Sequence, residues 1–166
     1  MEGSKPEILI VYDSKSGNTE MMAELVKQGA EKEGVKVRLK KVEDADPKEL
    51  LDVQGVIIGS PTYYGLLTAK IKQFLDASVE HHGKLDGKVG AAFASSGVLG
   101  GGNETTIISI LQCLLVHGMV VQGDPVGGHY GAVSLGKPDN DSEKREAHRL
   151  GKRTSTLVRK LFLPQG

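Results

Sequence analysis

The 166-residue chain is long enough for one ordinary domain with a buried core, and we expect that single domain to span 1–166. Its 21 basic residues balance its 21 acidic residues, which argues against a partner such as nucleic acid or an anionic membrane. No apolar run approaches the roughly 20 residues needed to span a bilayer. The one cysteine, Cys113, excludes an intrachain disulfide and a cysteine metal cluster, so we expect a cytoplasmic protein without a metal site.

Hydrophobic periodicity predicts strands that alternate with helices. In chain order the sequence predicts a strand over 7–12, a helix over 18–32, a strand over 35–42, a short helix from Pro47, a strand over 55–59, a helix over 68–78, a strand over 88–94, a helix over 103–117, a strand over 119–122, a loop over 123–140, and a helix over 142–161 that is broken or strained near Gly151.

This alternation predicts an α/β fold in which a doubly wound parallel sheet carries helices on both faces. The second predicted strand alternates apolar with basic residues, which is typical of a half-exposed edge strand. Five strands with the second at an edge fit the order 2-1-3-4-5. In that order a ligand binds outside the carboxyl ends of the strands, where the sequence places three loops, over 14–19, 60–65 and 95–102.

The first loop stands between a strand and a helix start, where unpaired backbone N–H groups and the helix dipole favour an anion. It offers hydroxyl, amide and glycine residues, and it lacks both the Walker A pattern and the dinucleotide pattern of glycines. We therefore predict a phosphate that is held and not transferred. The alternative is that Ser16, Asn18 or Thr19 merely caps the helix. The candidate residues are Ser14, Lys15, Ser16, Gly17, Asn18 and Thr19.

The second and third loops are suited to a flat ring. Two of the four tyrosines stand side by side at Tyr63 and Tyr64, where a heterocycle could stack, although one of them could instead pack under the loop. The glycines of the third loop let backbone amides approach a ring edge, the alternative being a flexible turn. The candidates are Pro61, Thr62, Tyr63, Tyr64 and Gly65, and then Ser95, Ser96, Gly97, Gly100, Gly101 and Gly102.

A phosphate, a stacked ring and hydrogen bonds to the ring edge together describe a site for flavin mononucleotide (FMN). The motifs Ser-x-x-Gly-Asn-Thr after the first strand and Gly-Ser-Pro-Thr-Tyr-Tyr-Gly after the third resemble those of the flavodoxin-like superfamily. The segments 95–106, 117–121 and 127–132, taken in order, resemble the WrbA-type NAD(P)H:quinone oxidoreductases, with the connections around 43–54 and 122–126 shortened.

That resemblance implies an FMN enzyme that takes two electrons from NAD(P)H and passes them to a quinone. It implies that His117 lies near the flavin ring as the catalytic residue, the alternative being a helix C-terminal residue before Gly118. The resemblance also leaves open that two or four copies of the chain assemble.

A flavodoxin that carries single electrons between redox partner proteins is the alternative function. Such carriers are usually strongly acidic, and the balanced charge of this chain argues against that reading. The last predicted helix is basic, which is typical of a solvated helix face. A phospho-acceptor response regulator would share the strand order, but it needs an aspartate where the third strand ends in Gly59-Ser60.

Overall fold

A computed structural model describes residues 5–163 of the chain. Its strands are β1 (Glu7–Tyr12), β2 (Lys36–Lys41), β3 (Gly55–Pro61), β4 (Val89–Ser96), β5 (Val120–Val121) and β6 (Ala132–Leu135), and its helices are α1 (Asn18–Glu31), α2 (Ala69–Ala77), α3 (Asn103–Val116) and α4 (Asp141–Phe162). Every strand pair is parallel. The order β2-β1-β3-β4-β5 confirms the sequence prediction, including the edge position of β2.

Two apolar clusters lie on the two faces of the sheet. Leu9 and Val11 point to the face covered by α2 and α3, whereas Ile8 and Ile10 point to the face covered by α1 and α4. All four side chains have no exposed surface, as expected for a central parallel strand between two helical layers. The carboxyl end of β1 is therefore held at the middle of the sheet, between β2 and β3.

The fifth position of the sheet is shared by two short strands. β5 pairs only with Val89 and Gly90 at the start of β4, and β6 pairs with the last four residues of β4. The predicted loop over 123–140 was therefore wrong where β6 lies. Its four residues do alternate, but their glycine-rich surroundings favoured a loop. β6 adds a wall beside the carboxyl end of β4, next to the third candidate loop.

Helix α4 runs unbroken from Asp141 to Phe162, so the prediction of a break at Gly151 was wrong. A Cβ atom at Gly151 would lie 1.9 Å from the carbonyl oxygen of Val26 in α1, and one at Gly29 would lie 2.0 Å from that of His148 in α4. The two glycines thus allow the backbones of α1 and α4 to touch. Within residues 5–163, no helix is both long and apolar enough to cross a membrane.

Gly151→Ala separates helix propensity from this close approach. Propensity alone would stabilise the helix by up to about 1 kcal/mol. We expect instead that the free energy of unfolding falls by about 1–3 kcal/mol, because the new methyl group has to displace α1. Urea denaturation would measure the change.

The matched control is Lys152→Ala at the neighbouring exposed position, where only a long ion pair with Glu33 is lost. Equal stability of Gly151→Ala and the wild type would show that α1 and α4 adjust without cost.

Candidate cofactor site

The three predicted loops meet around one open cavity of about 180 Å³ at the carboxyl ends of β1, β3 and β4. Each loop contributes to its wall. The residues that line it are Lys15, Ser16, Asn18, Thr19, Pro61, Thr62, Tyr63, Ser95, Ser96 and Gly97. Seven other candidates do not line this cavity, namely Ser14, Gly17, Tyr64, Gly65, Gly100, Gly101 and Gly102.

Helix α1 begins without a side-chain cap. Its N-cap is Gly17, whose φ of +90° is a left-handed conformation that glycine adopts readily. The Ser14 hydroxyl supports the turn from outside the cavity, because it accepts hydrogen bonds from the N–H groups of Gly17 (3.1 Å) and Glu20 (3.3 Å). The capping alternative for Ser16, Asn18 and Thr19 was therefore wrong. Among the described residues, the N–H groups of Asn18 and Thr19 have no acceptor.

The hydroxyl of Thr19 joins the first loop to the third. Thr19 Oγ1 lies 2.8 Å from Ser95 Oγ, and both side chains are buried. The second loop is tied to the same strand end, because the Thr62 N–H donates to the Ser95 carbonyl at 2.8 Å. Thr106 then donates its hydroxyl proton to Thr62 Oγ1 at 3.0 Å. These bonds fix the spacing of the three loops before any ligand binds.

The second loop turns tightly at its tip. Tyr63 and Leu66 exchange two backbone hydrogen bonds of 3.0 Å, with Tyr64 (φ +53°) and Gly65 (φ +75°) between them. Both central residues have positive φ, as in a type I′ turn. This turn projects Tyr64 fully into solvent and leaves Tyr63 half-exposed at the cavity wall. Stacking within the cavity is therefore open to Tyr63, and the packing of Tyr64 under the loop was the wrong alternative.

Hydrogen bonds connect both ends of the third loop to β6 and the turn that follows it. Asn103 accepts a hydrogen bond from the Ser96 hydroxyl and donates one of 3.1 Å to the Ser134 carbonyl of β6. The Gly136 N–H donates to the Ser96 carbonyl at 2.7 Å. Sequence analysis missed this role of Asn103 because it missed β6, the strand that supplies the acceptor.

A second residue that sequence analysis missed is Asp13, at the end of β1. Its buried carboxylate accepts a 2.7 Å hydrogen bond from the hydroxyl of Thr68, the N-cap of α2. Asp13 thereby anchors the end of the second loop to the start of the first. The feature of the sequence that could have identified Asp13 is its position directly after an apolar strand.

The cavity has the features that an FMN phosphate requires. The first loop carries unpaired N–H groups at the positive end of the α1 dipole, and Ser16 and Thr62 line the same cavity. Lys15 is the one charged residue among those that line the cavity. Tyr63 provides an aromatic surface at the rim for a ring system, so the residues present fit the cofactor.

Comparison with known proteins gives the family. The model of the family described as Flavodoxin matches residues 10–106, which include all three candidate loops in full. The chain belongs to the flavodoxin family.

Relatives of this flavodoxin-family chain have two kinds of name. A protein of Aquifex aeolicus (strain VF5) named Flavodoxin is 44% identical over 160 residues, which cover 92% of this chain and 86% of that protein. A protein of Archaeoglobus fulgidus named NAD(P)H dehydrogenase (quinone) is 35% identical over 188 residues, which cover 93% of this chain and 98% of that protein. The crystal structure of a WrbA-like flavodoxin from Agrobacterium tumefaciens matches with a TM-score of 0.79 and 25% identity, and the match covers 95% of this chain and 99% of that one. The resemblance drawn from the sequence is confirmed.

The structure does not bring His117 to the cavity of its own chain, so its predicted place near the ring was wrong for a single chain. His117 is the C-cap of α3, a helix of 14 residues whose other end adjoins the third loop, about 20 Å away at 1.5 Å per residue. Gly118 follows with φ +79° and closes the helix, which is the alternative that the sequence left open.

The imidazole of His117 is packed into the protein. Ser78 Oγ donates to the Leu75 carbonyl, so His117 Nε2–H donates to Ser78 Oγ at 2.7 Å. Nδ1 is buried and has no partner within residues 5–163. Burial, and then the nearby His82 and His81, lower the pKa of His117 from its ordinary value. The flavodoxin-family chain therefore holds this histidine neutral.

His117 should make stability depend on pH. The folded-state pKa of His117 lies below its unfolded value of about 6.5. The stability that comes from burying the neutral imidazole is therefore fully present above about pH 6.5, and it is lost as the pH falls through the folded-state pKa. We expect the free energy of unfolding to decline between pH 7.5 and 5.5. His117→Gln keeps a donor for Ser78 without titrating, and should make the decline shallower by at most about 1.4 kcal/mol per pH unit.

Urea denaturation at a series of pH values checks this. His129→Gln, which makes the same replacement at an exposed imidazole, is the matched control. An unchanged slope for His117→Gln would contradict the buried neutral imidazole.

Proposed function

We propose that this chain binds one FMN in the three-loop cavity and uses it to transfer electrons. The observation that carries the proposal is the cavity itself, where an uncapped helix start, paired hydroxyls and a tyrosine wall come from three separate loops. The family to which the chain belongs supports the choice of a flavin.

In this proposal each loop has one task. The N–H groups of Asn18 and Thr19 bind the phosphate, with Lys15 adding a positive charge at the rim. Tyr63 stacks against the ring, and the backbone of 95–97 orients the ring edge. The flavin supplies the redox chemistry when it is bound, and the protein positions it and sets its electrostatic surroundings.

The finer form of the proposal is an NAD(P)H:quinone oxidoreductase that works by two-electron transfer. Two relatives named NAD(P)H dehydrogenase (quinone), at 35% and 33% identity, support it. The cavity is open and Tyr63 in its wall is half-exposed, so a nicotinamide and then a quinone could reach a ring stacked there in turn. Because His117 is remote, any such step would rely on the loops of the cavity.

The second candidate is an electron carrier. The relative at 44% identity is named Flavodoxin, and this favours a protein that exchanges electrons with partner proteins. The absence of His117 from the cavity of its own chain favours the same candidate, because Lys15 is then the one charged side chain among the described residues that line the cavity.

Gly17→Ala tests the FMN site directly. Alanine would relieve the strain of φ +90° by moving the loop, and restoring the binding shape would cost about 1–2 kcal/mol. We expect FMN to bind about tenfold more weakly, which corresponds to about 1.4 kcal/mol. Quenching of flavin fluorescence would measure the dissociation constant, with riboflavin and FAD as competing ligands.

Gly83→Ala is the matched control. Gly83 has a similar φ of +80° and, like Gly17, no atom within 4 Å of an added Cβ, but it lies outside the cavity. It should lose stability and keep its FMN affinity. Equal FMN affinity in both variants, or preference for riboflavin or FAD, would sink the proposed phosphate site.

An anaerobic redox titration separates the two candidate functions. A quinone oxidoreductase should take up electrons as a pair at one potential, be reduced by NADH or NADPH, and be reoxidised by benzoquinone. A carrier should show two separated one-electron potentials and little turnover with NAD(P)H and quinone. Absorbance spectra recorded during the titration follow both the uptake of electrons and the reoxidation by benzoquinone. The outcome decides which form of the proposal holds.

A further inference from the structure

Thr62, in the second loop, is held from three sides. Its backbone N–H donates to the Ser95 carbonyl at the end of β4 at 2.8 Å. Its Oγ1 accepts a hydrogen bond of 3.0 Å from the hydroxyl of Thr106 in α3. Its methyl group lies close to the third loop, because a Cβ atom at Gly102 would be only 3.3 Å from Thr62 Cγ2. A strand end, a helix and a glycine therefore fix both the backbone and the side chain of Thr62.

The direction of the bond between the two threonines leaves one proton unused. Thr106 is the donor, so the oxygen of Thr62 acts as an acceptor in that bond. A hydroxyl group also has one proton to donate, and no acceptor for the proton of Thr62 exists within residues 5–163. Thr62 lines the cofactor cavity, whereas Thr106 has no exposed surface. The free donor of the pair is therefore the one at the cavity wall.

Thr106 decides how Thr62 acts toward a ligand. A threonine hydroxyl without a partner rotates, and it presents either a lone pair or a proton to its surroundings. Here the hydroxyl of Thr106 is already bonded to the oxygen of Thr62, which leaves the proton of Thr62 for the ligand. Because linked hydrogen bonds polarise one another, a hydroxyl that accepts one bond is also the stronger donor in the next.

A fixed donor at this wall suits the polar edge of a flavin ring, where carbonyl oxygens and ring nitrogens accept hydrogen bonds. Hydrogen bonds to a negatively charged acceptor are roughly twice as strong as those to a neutral one. The reduced ring is richer in electrons than the oxidised ring. A donor held at its edge therefore stabilises bound reduced FMN more than bound oxidised FMN, and this raises the reduction potential.

We infer that Thr106 is a positioning residue of the cofactor site, which sets the hydroxyl of Thr62 as a hydrogen-bond donor to the polar edge of the flavin ring and thereby favours the reduced state. The inference rests on the proposed binding of FMN. It gives a role in the electrostatics of the cofactor to a side chain that does not line the cavity.

Thr106→Val tests the inference, because valine has nearly the shape of threonine without its hydroxyl. We expect the dissociation constant of oxidised FMN to rise by about twofold and that of reduced FMN by about tenfold. The difference of about fivefold lowers the two-electron potential by about 20 mV. Quenching of flavin fluorescence measures the first constant, and anaerobic titration against a reference dye measures the potential.

Two further variants separate positioning from a merely structural role. Thr106→Ser keeps the hydroxyl and should restore the wild-type potential. Thr154→Val is the matched control, since Thr154 is also buried in a helix, but its hydroxyl donates to the Leu150 carbonyl of its own helix at 2.9 Å. It should lose some stability in urea and keep the potential. A structural role of Thr106 would give the same result in Thr106→Val.

A double-mutant cycle shows whether Thr106 acts through Thr62. Thr62→Val removes the donor itself and should lower the potential by at least as much as Thr106→Val. The double variant should have the potential of Thr62→Val alone, because no donor is left for Thr106 to position. If Thr106→Val does not fold, Thr106→Ala removes the same hydroxyl with a smaller side chain and takes its place in the cycle.

The inference is overturned by a wild-type potential in Thr106→Val, by the same loss in Thr106→Ser, or by additive losses in the double variant. Failure of the proposed function is seen separately. A wild-type protein that binds no FMN in the fluorescence titration overturns the proposed function and the inference with it. A wild-type protein that binds FMN, with variants of unchanged potential, overturns the inference alone.

Discussion

The start of α1 leaves the N–H groups of Asn18 and Thr19 without an acceptor among the described residues. Two of the four α-helices in the described part of the chain have a side-chain acceptor of their own: Thr68 caps α2 and Asn140 caps α4, whereas α3, like α1, starts from a left-handed glycine. α1 starts instead from a left-handed glycine directly after a strand that is buried on both faces. Its N–H groups are therefore held in the middle of the sheet edge and point to the cavity, where an anion would complete them.

The rest of the molecule keeps that edge rigid. α1 is fixed on its outer side by α4, where Gly29 and Gly151 let two backbones touch. On its inner side, the buried pair of Thr19 and Ser95 hydroxyls joins the first loop to the third. Hydrogen bonds among the loops therefore set the spacing before a ligand arrives, which lowers the ordering cost of binding.

The two sides of the third loop differ in chemistry. The side that faces the cofactor cavity presents hydroxyls, backbone amides and one lysine, which suit a phosphate and a ring. The side that faces β6 is lined by three glutamates and by Leu99 and Leu135. One glycine-rich segment thus separates a cavity that carries one lysine from a pocket that carries three glutamates. The balanced net charge of the chain conceals this local division.

The sequence by itself determined the layered α/β fold, the order of the main strands and the three loops of the site. These follow from local patterns: apolar runs mark buried strands, 3.6-residue periodicity marks helices, and the carboxyl ends of parallel strands meet at one edge. The motifs of the first two loops also indicated the family, since they occur together and in order.

Only the tertiary structure decided what lies between distant segments. β6 is four residues long and pairs with β4, about 40 residues earlier in the chain, so its local pattern gave little signal. Gly151 reads as a helix breaker in sequence, but its role is a contact with Val26, 125 residues away in the chain (151 − 26). His117 stands in a motif that suggested the flavin, yet the length of α3 carries it to the opposite end of the helix. In each case a neighbour far along the chain set the outcome, and one-dimensional patterns do not contain such neighbours.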